Sequence, residues 1–150
     1  MKKILIVSLI AVPLTTHALT WKIFGPCSDK PIYEGTYQAD LNKSIGETSI
    51  EIFEKNKIAY VGVPAGFNSI NNSPTGLDAL EVVSDTEMRA YGWCYLVNNK
   101  MPVEMPDQVK PKSQDDKLVW FYGYGTNKDN VWTEYCSPGY WIKAKQFCEK

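Results

Sequence analysis

The chain has 150 residues, with 16 Lys and Arg against 17 Asp and Glu, four Cys, one His and 19 aromatic side chains. That length argues for one domain rather than two, and a net charge of -1 with no basic run excludes a surface built for nucleic acid or an anionic membrane. The sole histidine, His17, falls in a segment that reads as a removable leader, which would take Ser-His-Asp, Cys-His and His-ligated metal chemistries away with it.

Residues 1–18 carry that leader pattern. Lys2 and Lys3 form a positive start, Ile4 to Val12 an apolar stretch, Pro13 a break, and Thr16-His17-Ala18 the small residues of a cleavage site. The apolar stretch is far short of the roughly 20 residues that cross a bilayer, so no membrane span is expected after cleavage. Removal leaves one domain over residues 19–150, 132 residues with 14 basic and 17 acidic side chains and no histidine. A secreted or periplasmic protein is expected, and a monomer.

Residues 19–47 hold Gly25-Pro26, Pro31, Gly35 and Gly46 and read as an arm with at most one short strand. Ser49 to Glu54 alternates polar and apolar residues, the period of a half-buried strand. After a turn at Lys55-Asn56-Lys57, Ile58 to Val63 gives a second strand and a hairpin. Pro64 to Asn72 is turn-rich. Ser73 and Pro74 then open the one predicted helix, residues 74–84, with Leu77, Leu80 and Val83 as its apolar stripe. Ala90 to Asn98 is a strand, followed by a tight turn at Asn98-Asn99. Prolines 102, 106 and 111 mark a non-helical connection. Lys117 to Tyr124 (KLVWFYGY) is the strongest strand signal, and residues 125–150 form an aromatic tail. Hairpin, helix and strands in this order predict an α+β fold, a mixed sheet with one short helix packed across one face and a disulfide-stapled C-terminal tail.

The four cysteines, Cys27, Cys94, Cys136 and Cys148, contain no C-x-x-C spacing. An even count in an exported chain reads as two disulfides with three possible connectivities. Cys136–Cys148 with Cys27–Cys94 is preferred, because the first pair closes a short loop.

Three pieces of the sequence then stand in a telling order. They are Thr75-Gly76-Leu77-Asp78-Ala79-Leu80, Gly92-Trp93-Cys94-Tyr95-Leu96-Val97-Asn98-Asn99, and Asp116-Lys117-Leu118-Val119-Trp120-Phe121-Tyr122. Together they resemble the transcobalamin-like C-terminal domain family, with its T-x-L-x-A-L helix, G-W-x-Y-x-V-N-G hairpin strand and D-x-V-x-W-x-Y strand. The match spans residues 48–124. It implies a β-grasp-like fold and a bacterial exported module whose ligand is unassigned. Cobalamin enters only through this resemblance, since the same module covers one side of bound cobalamin in the vitamin carriers; the residues themselves call for no cofactor.

The aromatic strands supply the candidate ligand-binding set: Trp93, Tyr95, Trp120, Tyr122 and Tyr124. Period-2 geometry puts Leu118, Trp120, Tyr122 and Tyr124 on one face of their strand and Val119 and Phe121 on the other. An uncovered aromatic face could stack on a ligand or a partner's side chains. The favoured alternative is that the arm and tail fold over it, since Trp132, Tyr135, Tyr140 and Trp141 need burial too. Asp115-Asp116 and the group Glu81, Asp85, Glu87 are the only carboxylate candidates for acid–base chemistry, and turn formation and solvation explain them better. Asn127 to Asn130 lacks a calcium-loop pattern, and Gly123-Tyr124-Gly125 lacks the lysine and helix of a phosphate loop. No catalytic residue and no metal ligand is assigned. The reading is a non-catalytic exported binding module that recognises a small molecule or an envelope or extracellular protein through an aromatic-lined sheet face. The alternative is a small exported hydrolase inhibitor presenting residues 64–72 as its loop.

Overall fold

A computed structural model describes residues 17–149. The leader assigned to residues 1–18 therefore lies outside the described residues except for His17 and Ala18. The first strand, β1, runs Leu19–Phe24 and returns as β2, Tyr33–Tyr37, so the arm contributes two strands where one at most is predicted. Next come helix α1 (Ile45–Lys55), the strands β3 (Tyr60–Val63) and β4 (Gly66–Ile70), then β5 (Leu80–Ser84) and β6 (Glu87–Val97). The chain closes with β7 (Lys117–Lys128), β8 (Val131–Pro138) and a one-turn helix α2, Lys145–Cys148.

β7 is the spine. β6 pairs antiparallel along most of its length, from Glu87↔Lys128 to Val97↔Leu118. On its other side β1 runs parallel to the first half, Thr20↔Lys117 to Phe24↔Phe121, and β8 antiparallel to the second. β2 and β5 close the order β2-β1-β7-β6-β5. The expected mixed sheet with one real helix across a face is therefore present, but the helix is a different one.

α1 occupies the stretch predicted as a strand. Its capping box is complete: Ser44 Oγ accepts from the Glu47 backbone N–H at 3.2 Å, and the Glu47 carboxylate accepts from the Ser44 backbone N–H at 2.8 Å. Besides Gly46, the buried residues are Ile45, Thr48, Ser49, Ile52 and Phe53, which is helical spacing. Two of those five are polar, which hides the helical period and leaves the local alternation at Ile50 and Ile52 in view. Ser49 is tolerated in the core because its hydroxyl donates to the Ile45 carbonyl at 2.7 Å and accepts from Trp120 Nε1 at 2.9 Å. Gly46 lets the turn between β3 and β4 dock on the helix, since a Cβ there would lie 1.8 Å from the Pro64 carbonyl oxygen. β3 pairs with β4, not with residues 49–54.

The predicted helix 74–84, and with it the helix implied by the family resemblance, is a single 3-10 turn at Gly76–Ala79 followed by β5. Gly76 sits at φ +60° and breaks the helical path, and the β-branched pair Val82-Val83 continues as a strand beside β6. Leu77 of the expected stripe is exposed. The turn at Asn98-Asn99 forms as expected, with both residues at positive φ.

The disulfides are Cys27–Cys148 and Cys94–Cys136, which overturns the preferred pairing. β8 returns along the second half of β7 and brings Cys136 beside Cys94, while the end of the tail crosses to the segment just after β1. Two disulfides and no free cysteine among the described residues are the state expected in an oxidising compartment. No described helix is long and apolar enough to cross a membrane.

Candidate functional site

Strand register assigns every side chain of the central sheet to one of two faces. The inner face carries Leu19, Trp21 and Ile23 of β1, Leu118, Trp120, Tyr122 and Tyr124 of β7, and Tyr91, Trp93, Tyr95 and Val97 of β6. The five aromatic candidates thus come together on one face, as alternation predicts. Tyr95 stacks on Trp120 with centroids 5.3 Å apart, and Trp93 lies 5.4 Å from Tyr122.

That face is covered. α1 and the β3–β4 hairpin close its first half, bringing Ile45, Ile52, Phe53, Phe67 and Ile70 onto Leu118, Tyr95 and Trp120. The tail closes the second half, where Phe147 meets Tyr91 at 4.8 Å and Tyr122 at 5.7 Å. Trp120 is 3% exposed, Tyr122 0% and Tyr124 6%. Trp93 is half-buried. Their polar atoms are spent inside the protein: Trp93 Nε1 donates to Ser73 Oγ (2.7 Å), Tyr95 Oη to the Glu104 carbonyl (2.7 Å) and Tyr122 Oη to the Pro74 carbonyl (2.9 Å). Burial pushes the Tyr122 phenol up to about 12. Burial, with Glu104 and Asp107 nearby, does the same for Tyr95, to about 12. Buried aromatics with internally satisfied polar tips are core construction. A corrinoid laid on this face has no room, because α1, the hairpin and the tail occupy it.

Asp116, Glu81 and Glu87 are each engaged within the protein. Asp116 is buried and accepts from Asn98 Nδ2 (3.0 Å) and from the backbone N–H groups of Lys112 (2.6 Å) and Ser113 (3.3 Å). Burial alone would raise its pKa, but those three hydrogen bonds outweigh it and hold the carboxyl below its ordinary range. Glu81 accepts from Tyr91 Oη (2.6 Å) and from Arg89 (3.1 Å), and Glu87 shares the same guanidinium at 3.5 Å. Among the described residues no group of three His, Cys, Asp or Glu side chains is placed to hold a metal ion.

The outer face is where the sheet remains accessible. It presents Thr20, Lys22 and Phe24 of β1, Lys117, Val119 and Phe121 of β7, and Cys94 and Leu96 of β6. Over all of these but Cys94 the chain leaves a groove of about 510 Å³, with Pro138 and Tyr140 as one wall and Asn99 at the opposite end. Tyr140 is fixed against Phe24 at 5.9 Å, and the Cys94–Cys136 disulfide ties the tail down beside the groove. A larger cavity of about 660 Å³ lies between the β3–β4 hairpin and residues 73–80. Its serines already bond one another and Trp93, which leaves fewer free polar groups to orient a ligand. Alternation puts Val119 and Phe121 on the face opposite Trp120 but carries no link to Phe24, Leu96 and Tyr140. Those three come from separate segments that the parallel β1–β7 pairing, the antiparallel β6–β7 pairing and the tail bring together.

No protein-family model matches the chain, and comparison with curated proteins gives no match.

Proposed function

We propose that this protein is a non-catalytic exported binding module that holds a small ligand in the outer groove. The observation that carries the reading is the groove itself: about 510 Å³, within the range of small-molecule sites, with an apolar floor and a few polar groups gathered at one end. Export is supported by the leader pattern of residues 1–18 and by the two disulfides. The resemblance to transcobalamin-like domains supports a binding role of the same general kind, with the working face moved from the inner aromatics to the outer side. The hydrolase-inhibitor alternative loses its main support, because residues 66–70 form β4 and bury Phe67, Ser69 and Ile70 rather than protruding as a loop.

The test is binding of Nile red, a neutral polarity-sensitive dye, by the purified chain and by Val119→Glu, which sets a charge in the groove floor. Saturable, blue-shifted emission in the wild type that disappears in the variant, with unfolding midpoints unchanged, is the expected outcome. Emission that never saturates, or that survives Val119→Glu unaltered, rejects the outer groove as a binding site.

A further inference from the structure

We infer that the outer groove takes an amphipathic monoanion, with its acid group at the Lys117 end and its apolar body along Val119 toward Phe121; this rests on the binding reading above. Register sets out the groove in three rows. Thr20 lies beside Lys117 in the first, with Asn99 of the neighbouring turn. Lys22, Val119 and Leu96 make the second, and Phe24 and Phe121 the third, ahead of Pro138 and Tyr140. Polarity therefore falls in one direction along β7, from an ammonium to a phenyl ring. From Lys117 to Phe121 is four residues, about 13 Å at roughly 3.3 Å each. A ligand that follows this gradient has one polar end and one apolar end.

The sign of the polar end follows from the charges present. No Asp or Glu lines the groove. Lys22 is already paired with Glu34 at 3.2 Å. Lys117 has no ion pair among the described residues, and its backbone N–H is bonded to Asn98 Oδ1. Neither acid that precedes it in sequence forms an ion pair with it, and Asp116 is already occupied by Asn98 and two backbone N–H groups. One uncompensated positive charge thus stands at the polar end, with Thr20 and Asn99 beside it as neutral hydrogen-bonding groups. That set complements a single carboxylate. A dianion would leave one charge unmatched, and a cation would face Lys117 directly.

The test compares each acid with its own neutral counterpart, decanoate with 1-decanol and 2-naphthoate with 2-naphthol, by calorimetry at low salt. The expected result is that at least one carboxylate binds about tenfold more tightly than its alcohol. The preference should shrink as salt is added and vanish in Lys117→Gln, whose exposed side chain the fold does not need. The tighter acid of the two tells whether the apolar body is a chain or a ring. Equal binding of acid and alcohol overturns the monoanion assignment while the binding-module reading stands, and so does a preference that Lys117→Gln leaves intact. If neither these ligands nor Nile red enters the groove, both readings fail together.

Discussion

The two faces of the central sheet are made by the same strands and both carry aromatic rings, yet they do opposite things. On the inner face Trp120, Tyr122 and Tyr124 are buried and their neighbours' polar atoms are satisfied within the protein. On the outer face Phe24, Val119, Leu96 and Tyr140 stay half-buried around a groove. The presence of aromatic rings alone therefore does not tell a core from a binding surface. The separation is made by what is laid over each face, and those covering segments are distant in sequence: α1, the β3–β4 hairpin and the tail on one side, a short stretch around Tyr140 on the other. The disulfides divide the same way. Cys27–Cys148 pins the tail whose Phe147 lids the inner aromatics, and Cys94–Cys136 lies on the outer face beside the groove wall.

The largest expected effects come from cutting these two staples separately. Sequence separations of 121 and 42 correspond to about 5 and about 4 kcal/mol in the chain-entropy model. The distinguishing signature is spectroscopic. Replacing Cys27 and Cys148 by Ser should loosen the Tyr91–Tyr122–Phe147 packing and reduce near-ultraviolet dichroism. Replacing Cys94 and Cys136 should spare that signal and weaken Nile red binding instead. The reverse pattern would mean that the tail does not serve the inner face. A direct contrast of adjacent residues comes next. Trp120→Ala opens a hole beneath α1 and leaves Ser49 Oγ without its donor, and should cost about 3–5 kcal/mol in urea unfolding. Val119→Ala, one residue away on the outer face, should cost about 1 kcal/mol or less. Comparable losses at both positions would make the outer face a second core.

Much of this division is already legible in the sequence. Alternation along Lys117–Tyr124 gives the strand and the face of each side chain, and the need of the tail aromatics for burial points to a cover. What stays hidden has physical causes. The α1 period is masked because Thr48 and Ser49 occupy core positions through hydrogen bonds that no hydropathy pattern contains. The capping box at Ser44 and Glu47 is the local signal that separates helix from strand there. At Gly76 the apolar spacing of Leu77, Leu80 and Val83 gives way to one residue at positive φ and to cross-strand pairing with β6. The disulfide connectivity and the groove depend on strand order, above all on the parallel pairing of β1 with β7, and local spacing carries no record of it.

An effect smaller than the loss at Trp120 concerns the polar end of the outer face, where Asp116 clamps the Asn98 turn and the loop before β7. Its carboxylate is held below the ordinary range, because hydrogen bonds from Asn98, Lys112 and Ser113 outweigh the cost of burying it. For a group whose folded pKa is depressed, the stabilisation is fully present above the unfolded pKa, near 4 for an aspartate, and is lost as pH falls through the folded value. Asp116→Asn keeps an acceptor of similar shape but no charge. It should cost about 1–3 kcal/mol near neutral pH, and that difference from wild type should narrow steadily as pH is lowered from about 4. Since Asn98, Lys117 and Asn99 share this corner, the same variant should weaken carboxylate binding while leaving near-ultraviolet dichroism of the inner face intact. A wild-type-to-variant difference that stays constant from pH 6 to pH 2 would mean that shape, not charge, holds the turn. The polar end of the groove would then owe nothing to the Asp116 carboxylate.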